Sequence, residues 1–347
     1  MMIRFIVFDK NRKIITGGHK YDRMLFDSVK KLDKVDSDFS EVGAKPNLPK
    51  ILRPVVEFSK GIKESKGDCL IFNSSACLRL FPLMVWNKLF PRRKTYVIHH
   101  HFIYLEFSGL KKFIYKNAEK YFLKLSDKII VPSPYIYEKL KDYKKEKDLL
   151  HWRIPFETQK ITDTSLIPGN LTYTGTIEPR KGLIYLLQSL KKIQDNNIKY
   201  TLNIIGKVIH ERYYNSLKDY ANENDLNVNF LGFIDLEEKN RILAETDIFV
   251  FPSLLEGFGM VLVEAQVYGL PIVSFDNSAM PFTVKNDING YTVPNLDINA
   301  MAQKIQEIII NRELRERLSK GALENLKEQW NNDKFLETIR NYFNSLS

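Results

Sequence analysis

The sequence contains little of what an exported or membrane-spanning protein needs. It has two cysteines, Cys69 and Cys77, among 347 residues, too few for a disulfide framework and in agreement with a reducing cytosol. The first residues, MMIRFIVFDKNRK, are too short and too soon charged for a signal peptide. No uncharged run approaches the roughly 20 residues needed to span a membrane. We therefore expect a cytoplasmic protein, with attachment to the inner face of the membrane left open.

Acidic residues are scarce in the first half of the chain. Residues 1–168 contain 33 Lys and Arg against 19 Asp and Glu, whereas residues 169–347 contain 19 against 23. This excess of cations predicts an anionic partner for the N-terminal half, such as a membrane surface, a nucleic acid or a phosphorylated acceptor. A composition that is simply rich in lysine is the alternative explanation.

Internal repeats and low-complexity segments are also absent, and apolar runs alternate with helical patterns in both halves of the chain. A length of 347 residues is sufficient for two domains. The alternation predicts the α/β class, with two doubly wound domains. A polar segment at 158–170, which includes Pro168 and Gly169, predicts the linker. We therefore divide the chain into domains at 1–165 and 166–330.

One stretch in the second half has the pattern of a ligand-binding unit. Ile248–Phe251 reads as a buried parallel strand and residues 252–259 read as a loop. Residues 260–268 have helical spacing, and Gly269 stops the helix. The first N–H groups of a helix have no internal partner, and the helix dipole makes that end positive. The pattern therefore predicts a site for a phosphate or diphosphate.

Two glycines and two acids frame this helix start. Gly257 and Gly259 allow a ligand to approach the main chain closely. Glu256 and Glu264 supply carboxylates, which accept hydrogen bonds from hydroxyls. A diphosphate between two such acids suits a nucleotide sugar, with the sugar at one end and the ribose at the other. The alternative is an ordinary helix N-terminus with a solvated acid.

The segment EGFGMVLVE, from Glu256 to Glu264, resembles the signature of retaining GT-B glycosyltransferases of the family-four type, the glycosyl transferases group 1. The resemblance covers most of the chain and is specific in residues 171–295. It implies a GT-B architecture, in which two Rossmann-like domains face a central cleft. The N-terminal domain would lie on the acceptor side, and the C-terminal domain would bind the nucleotide sugar. Residues 331–347 would form a helix that crosses back onto the N-terminal domain.

The resemblance also implies roles for individual residues of the donor site. Glu256 would contact the donor sugar, Glu264 would hold the ribose, and Phe233 would flank the nucleobase. The diphosphate would bind at the backbone amides around the helix start. That part of the donor site would consist of Gly257, Phe258, Gly259, Met260 and Val261.

Two cations, Arg180 and Lys181, lie in the segment TIEPRKG, between strand-like residues 171–175 and a helical pattern at 183–193. Fixed cations at a helix N-terminus suit a diphosphate and stabilise the charge on a nucleoside-diphosphate leaving group. The family carries Arg and Lys here in that role. Some members carry Arg directly after the first glycine, where this chain has Thr176. A solvated basic turn is the alternative.

A glycine pair, Gly17 and Gly18, joins the apolar run at 3–8 to a helical pattern at 21–32. A glycine turn between a strand and a helix is a second candidate phosphate site. The resemblance implies that a loop of this kind, with Gly18, faces the donor phosphates and the acceptor. A tight turn without a ligand is the alternative.

Three consecutive histidines, His99, His100 and His101, follow the strand-like residues 96–98. Adjacent side chains of an extended chain point to opposite faces, so three in a row do not easily share one metal ion, and we expect no metal site. The family places a histidine after this strand, near the reacting sugar. His99 fits that position best, and His100 and His101 remain open. A loop of partly buried histidines is the alternative.

Residues 109–125 have the spacing of an amphipathic helix, whose apolar stripe is expected to face the domain core. The stripe consists of Leu110, Phe113, Ile114, Ala118, Tyr121, Phe122 and Leu125. Lysines recur every four residues, and like charges at that spacing repel, so a counter-anion is favourable. We expect an anionic membrane surface or a lipid diphosphate there, with plain solvation as the alternative. The lysine row consists of Lys112, Lys116, Lys120 and Lys124.

These features predict a retaining glycosyltransferase of polysaccharide biosynthesis, with a UDP-sugar as the expected donor. The acceptor hydroxyl would belong to a lipid-linked or cell-surface glycan precursor. No metal-binding Asp-x-Asp motif stands out, so we expect metal independence and no cofactor. One alternative is a nucleotide-sugar epimerase of the GT-B fold. Another is a basic nucleic-acid-binding protein with steeply salt-dependent binding; it gives no role to Glu256 and Glu264, so nucleic acid is not an expected partner.

Overall fold

A computed structural model of the chain describes residues 2–7, 17–32, 35–43, 52–90, 93–153, 166–329 and 332–345. The chain divides into two compact units. The first comprises Met1–Pro155 together with Asn331–Ser347, and the second comprises Phe156–Trp330. Most of the predicted linker, residues 158–165, lies outside the described residues. Each unit is built on one six-stranded sheet.

The first unit has a parallel sheet with helices around it. Its strands are β1 (Met2–Val7), β2 (Asp36–Glu41), β3 (Cys69–Asn73), β4 (Lys94–Ile98), β5 (Lys128–Val131) and β6 (Leu149–His151). Its helices before the linker are α1 (Gly17–Lys30), α2 (Arg53–Glu64), α3 (Cys77–Leu89), α4 (Gly109–Leu125) and α5 (Pro134–Leu140). The strand order is β2-β1-β3-β4-β5-β6, so the order reverses between β1 and β3.

Strand β2 is an element that the apolar pattern of the sequence does not predict. Its sequence, DSDFSE, is polar, and it lies at the edge of the sheet, paired with β1 alone. An edge strand needs less burial than a central one, and Phe39 supplies it by stacking on Phe26 at 4.1 Å between ring centroids. The strand also contains an Asp-x-Asp spacing, Asp36 and Asp38. Asp38 is paired with Arg4 at 2.9 Å on this edge.

The structure of helix α4 differs from the expectation that its apolar stripe faces the domain core. Phe122 of the predicted stripe is buried, but Leu110, Phe113 and Ile114 are exposed, so the stripe as a whole does not face the core. Apolar residues lie on two opposite sides of this helix. Periodicity shows that apolar residues recur, and it does not show which of two apolar sides packs against the sheet.

The second unit has a parallel sheet of the Rossmann order. Its strands are β7 (Asn170–Thr174), β8 (Thr201–Ile205), β9 (Val228–Gly232), β10 (Ile248–Phe251), β11 (Ile272–Phe275) and β12 (Gly290–Val293). Its helices are α6 (Leu183–Asp195), α7 (Glu211–Glu223), α8 (Leu236–Ala244), α9 (Met260–Val267), α10 (Met280–Thr283), α11 (Ile298–Ile310) and α12 (Arg312–Gln329). The strand order is β12-β11-β10-β7-β8-β9, which reverses between β7 and β10. Two Rossmann-like domains confirm the predicted fold class.

The C-terminal helix, α13 (Asn332–Asn344), belongs to the first unit. The hydroxyl of Tyr342 lies 2.9 Å from that of Tyr96 in β4. The ring of Phe343 packs edge-on against Trp152 at 5.7 Å between centroids. Tyr342 and Phe343 therefore anchor the helix to β4 and to Trp152, which follows β6, in the first unit.

Candidate active site

The loops at the carboxyl ends of β7 and β10 form the candidate site of the second unit. In open parallel sheets, ligands bind outside the carboxyl ends of the strands, where the strand order reverses. In this sheet the reversal lies between β7 and β10. The loop after β7 carries Arg180 and Lys181, and the loop after β10 carries Glu256. The topology therefore brings Arg180 and Lys181 next to Glu256, although 75 or more positions of the chain separate each cation from that glutamate.

The two loops press directly against each other. Gly182 has a φ of +66°, and a Cβ at this position would lie 2.1 Å from the carbonyl oxygen of Pro252. The N–H of Leu254 donates to the carbonyl oxygen of Arg180 at 2.9 Å. Only glycine fits this contact, because the backbone is left-handed and leaves no room for a side chain. The close approach fixes the two cations beside Glu256.

Glu256 is held by an ion pair that lies largely out of solvent. The Lys181 ammonium donates to Oε1 of Glu256, and the Ser253 hydroxyl donates to the same oxygen at 2.9 Å. Nη1 of Arg180 lies 3.6 Å from it. Burial alone raises the pKa of Glu256, but the charges of Lys181 and Arg180 and the two hydrogen bonds outweigh it. The pKa of Glu256 is therefore below its ordinary value, and the group is a carboxylate at neutral pH.

The two cations are themselves fixed by other partners. Nη1 of Arg180 donates to the carbonyl oxygen of Leu255 at 2.7 Å, and Nη2 donates to Glu178 at 2.9 Å. The Lys181 ammonium lies 5.3 Å from the ring centroid of Phe251, at the end of β10. Groups fixed in this way lose little freedom when they bind an anion. The arrangement can therefore hold a diphosphate at small entropic cost.

Helix α9 begins beside this cluster, as the sequence predicts. Its N-cap residue is Gly259, with a φ of +80°, and the helix runs to Val267. Gly257 and Val261 are partly exposed, whereas Phe258 and Met260 are largely buried. The start of the helix thus lies at the carboxyl edge of the sheet, where an anion can reach its first N–H groups.

Glu264 has a partner that the sequence pattern does not reveal. It accepts a hydrogen bond from the ammonium of Lys239 in α8, 25 residues away in the chain. Phe233, which follows β9, is exposed. Neither the spacing nor the composition of α8 marks Lys239 for this contact, which depends on how two helices pack. Ser253 contacts Glu256 from three residues earlier in the same loop, and it is not predicted because no sequence pattern marks the loop conformation that brings the two together.

The histidines of the first unit point to three different partners. Nδ1 of His99 lies 2.9 Å from the hydroxyl of Ser74, and the side chain is fully buried. Nε2 of His100 lies 2.8 Å from Asp22, and Nε2 of His101 lies 3.0 Å from Glu106. Burial lowers the pKa of His99 well below its ordinary value, with a smaller effect of its two neighbours. His99 is therefore neutral and enclosed.

His100, rather than His99, lies beside the first turn of α1, which begins with Gly17 and Gly18. A Cβ on Gly18 would lie 3.2 Å from the His100 ring. Asn73, at the end of β3, donates to Oδ2 of Asp22 at 2.6 Å, and His100 contacts the other oxygen of the same carboxylate. A carboxylate only accepts, so Nε2 of His100 carries the hydrogen. This cluster lies at the carboxyl ends of β3 and β4, next to the reversal between β1 and β3.

The buried acid Glu119 contacts the loop that carries the three histidines. Oε1 of Glu119 accepts a hydrogen bond from the N–H of Ile103 at 3.2 Å and lies 3.9 Å from Nδ1 of His99. Burial raises the pKa of Glu119 to about 8, although the backbone hydrogen bonds oppose it. At neutral pH the acid is therefore mostly protonated. It serves the loop as a neutral hydrogen-bonding group.

Two features are absent from the described residues, a metal-binding cluster and a membrane-spanning helix. No group of three or more His, Cys, Asp and Glu side chains in that part of the chain could hold a metal ion. Likewise, none of the helices described above is both long and apolar enough to cross a membrane.

Comparison with known proteins supports one family. Residues 163–325 match the family model of glycosyl transferases group 1. An uncharacterised glycosyltransferase of Methanocaldococcus jannaschii is 27% identical over 299 residues, which cover 84% of this chain and 79% of that protein. The poly(ribitol-phosphate) alpha-N-acetylglucosaminyltransferase of Staphylococcus aureus is 26% identical over 301 residues, covering 84% and 58%.

Solved structures show the same fold at lower identity. Sucrose-phosphate synthase of Thermosynechococcus elongatus superposes with a TM-score of 0.82 at 18% identity, over 99% of this chain and 98% of that one. HepE of Anabaena, in complex with UDP and glucose, has a TM-score of 0.79 at 16% identity, over 99% and 100%. Residues 163–325 therefore match the glycosyl transferases group 1, and together these comparisons support a glycosyltransferase of the GT-B fold.

Proposed function

We propose that the protein is a retaining glycosyltransferase that moves a sugar from a UDP-sugar to an acceptor hydroxyl, without a metal ion or cofactor. The observation that carries this proposal is the Lys181–Glu256 pair, with Arg180 beside it, at the strand reversal of the second sheet. Two cations and a carboxylate that lie side by side suit the two groups joined by the bond between the sugar and the diphosphate. The phosphate side needs the positive charge, and the sugar hydroxyls need an acceptor.

The site residues take the following roles in the proposed reaction. Arg180 and Lys181 neutralise the nucleoside diphosphate as the bond between the sugar C1 and the β-phosphate oxygen breaks. The acceptor oxygen bonds to C1 from the same face, and its proton passes to the departing phosphate. The depressed pKa of Glu256 keeps it ionised, so that it holds sugar hydroxyls rather than donating a proton. The remaining diphosphate contacts come from the first turn of α9.

Donor binding exchanges one set of ionic contacts for another. In the free protein, Lys181 is paired with Glu256 and Lys239 is paired with Glu264. Phosphate oxygens can replace the carboxylate as partners of Lys181, while sugar and ribose hydroxyls satisfy Glu256 and Glu264. Because Lys181, Glu256 and Glu264 each keep a partner, the exchange avoids leaving any of these three charges unpaired, which is costly in a buried site.

The relatives support the choice of donor and acceptor class. HepE was solved with UDP and glucose, and the S. aureus relative is named for the transfer of N-acetylglucosamine to poly(ribitol-phosphate), a polymer. We therefore propose polysaccharide biosynthesis, with a glycan or lipid-linked precursor as acceptor. Gly18 and His100 lie at the carboxyl edge of the first sheet, where we propose that the acceptor binds. The lysine row of α4 and the basic N-terminal half support a peripheral position at the cytoplasmic face of a membrane.

A thermal-shift screen tests the donor site. UDP should raise Tm more than GDP, ADP or free phosphate do, because binding to the folded state alone stabilises it. Glu264→Ala should weaken UDP binding about 10-fold or more, since a hydrogen bond to a charged group contributes roughly 1.5–3 kcal/mol. The matched control is Glu328→Ala, which removes an exposed carboxylate of α12 and should leave the UDP-induced rise in Tm unchanged. The proposal fails if no nucleoside diphosphate raises Tm.

A further inference from the structure

The outward side of α4 exposes a set of large apolar side chains, which we call the outer face of α4. Leu110 is 74% exposed, Phe113 66%, Ile114 45% and Tyr121 54%. Each residue turns the helix by about 100°. Leu110, Ile114 and Tyr121 therefore fall within about 40° of one another, on the side opposite the buried Glu119, Phe122 and Leu123. The outer face points away from the sheet, so the fold of the first unit does not cover it.

The exposed charges of α4 itself have one sign. The helix carries five lysines, and its one acid, Glu119, is buried. The lysines are Lys111, Lys112, Lys116, Lys120 and Lys124. An occupant of this face must therefore accept apolar side chains and supply negative charge. A second copy of the chain through the same face would bring ten lysines together, which disfavours self-association.

The position of the outer face relates it to the candidate acceptor side. Helix α4 follows β4 through the histidine loop and a short 3-10 turn, Ile103–Glu106, in which Leu105 is also partly exposed. Because only this short connection separates the end of β4 from α4, the helix begins, at Gly109, on the side of the carboxyl edge of the first sheet. The apolar residues of the outer face are concentrated in the first turns of the helix, beside that edge.

We propose that the outer face of α4 docks the enzyme on an anionic phospholipid bilayer. Leu110, Phe113 and Ile114 enter the boundary between headgroups and acyl chains, and the surrounding lysines contact lipid phosphates. A nucleic acid would account for the lysines but not for three exposed apolar residues in the first turns, whereas the interface of an anionic bilayer accepts both. The inference rests on the proposed function. It extends that function, because it specifies an acceptor presented at a membrane surface.

Vesicle sedimentation of the full chain tests the docking. The wild type should bind vesicles of phosphatidylcholine with one-third phosphatidylglycerol at least 10-fold more tightly than vesicles of phosphatidylcholine alone. The variant Leu110→Ser/Phe113→Ser should lose at least 10-fold in affinity for the anionic vesicles. Ile310→Ser is the matched control, because Ile310 in the second unit is also 66% exposed, and its binding should equal that of the wild type.

A second variant separates insertion from plain charge attraction. Replacement of Lys112, Lys116, Lys120 and Lys124 by Gln should abolish the preference for anionic vesicles. The proposal is overturned if the wild type does not bind, or if Leu110→Ser/Phe113→Ser binds as the wild type does. UDP-induced thermal shifts of the same variants report on the donor site independently. Failed docking with intact UDP shifts rejects the membrane, whereas docking without any nucleotide shift rejects the proposed reaction.

Discussion

Glu256→Gln is expected to lower kcat by at least about 100-fold while the protein stays folded and still binds UDP. Glutamine has nearly the same shape and accepts a hydrogen bond from Ser253, but it no longer offers the charge-assisted contacts that hold the sugar. UDP affinity should stay the same or rise, because the carboxylate 3.6 Å from Arg180 competes with phosphate for that cation. Steady-state kinetics and calorimetric titration with UDP measure the two effects separately.

The control for this variant is Glu328→Gln, which changes one exposed carboxylate on α12. An unchanged kcat in Glu256→Gln would remove Glu256 from the reaction. A parallel loss of UDP binding would instead assign it to the diphosphate rather than to the sugar.

The ionisation of Glu256 also predicts a direction for the effect of pH. Its pKa in the folded protein is lower than its ordinary value, which is about 4.3 in an unfolded chain. The stability that it contributes is therefore fully present above that value and is lost as the pH falls through the lower, folded pKa. Glu256 should not limit kcat anywhere above about pH 5.

Lys181→Met is expected to cause the second large loss, about 100-fold in kcat, because it removes one of the two cations that stabilise the leaving group. Unlike Glu256→Gln, it should also weaken UDP binding. Tm should fall, because the variant leaves Glu256 largely buried without its ammonium partner. Kinetics, UDP titration and thermal melting together measure the three effects.

The double variant Lys181→Met/Glu256→Gln separates stability from chemistry. It removes both charges, so Tm should recover towards that of the wild type, while kcat should remain as low as in the single variants. Recovery of activity together with Tm would mean that the pair is structural only. That result would contradict the role of Lys181 in leaving-group departure.

The elements of the donor site were predictable because their signals are local in sequence. Strand β10 is an uninterrupted apolar run, and α9 starts at a glycine and stops before another. Arg180, Lys181 and Glu256 could be chosen by type and position. Their mutual contact follows from the order of the strands, which brings β7 next to β10.

The contacts that the sequence did not predict depend on packing between distant segments. Lys239 reaches Glu264 from another helix, and Asp22 reaches His100 across 78 positions of the chain. The sequence favours His99 among the three histidines, but it does not give their orientations, which depend on where Ser74, Asp22 and Glu106 lie. The outer face of α4 was misassigned for a related reason: periodicity alone does not say which apolar side of a helix is buried.

Donor hydrolysis followed by proton NMR tests the central claim most directly. The protein is incubated without acceptor with UDP-glucose, UDP-N-acetylglucosamine, UDP-galactose and GDP-mannose, and the first anomer of the released sugar is read before mutarotation. The account predicts slow release of UDP and of a sugar with the anomeric configuration of its donor, absent in Glu256→Gln. A sugar of the opposite configuration would contradict retention. An epimerised nucleotide sugar as the sole product would replace transfer by epimerisation.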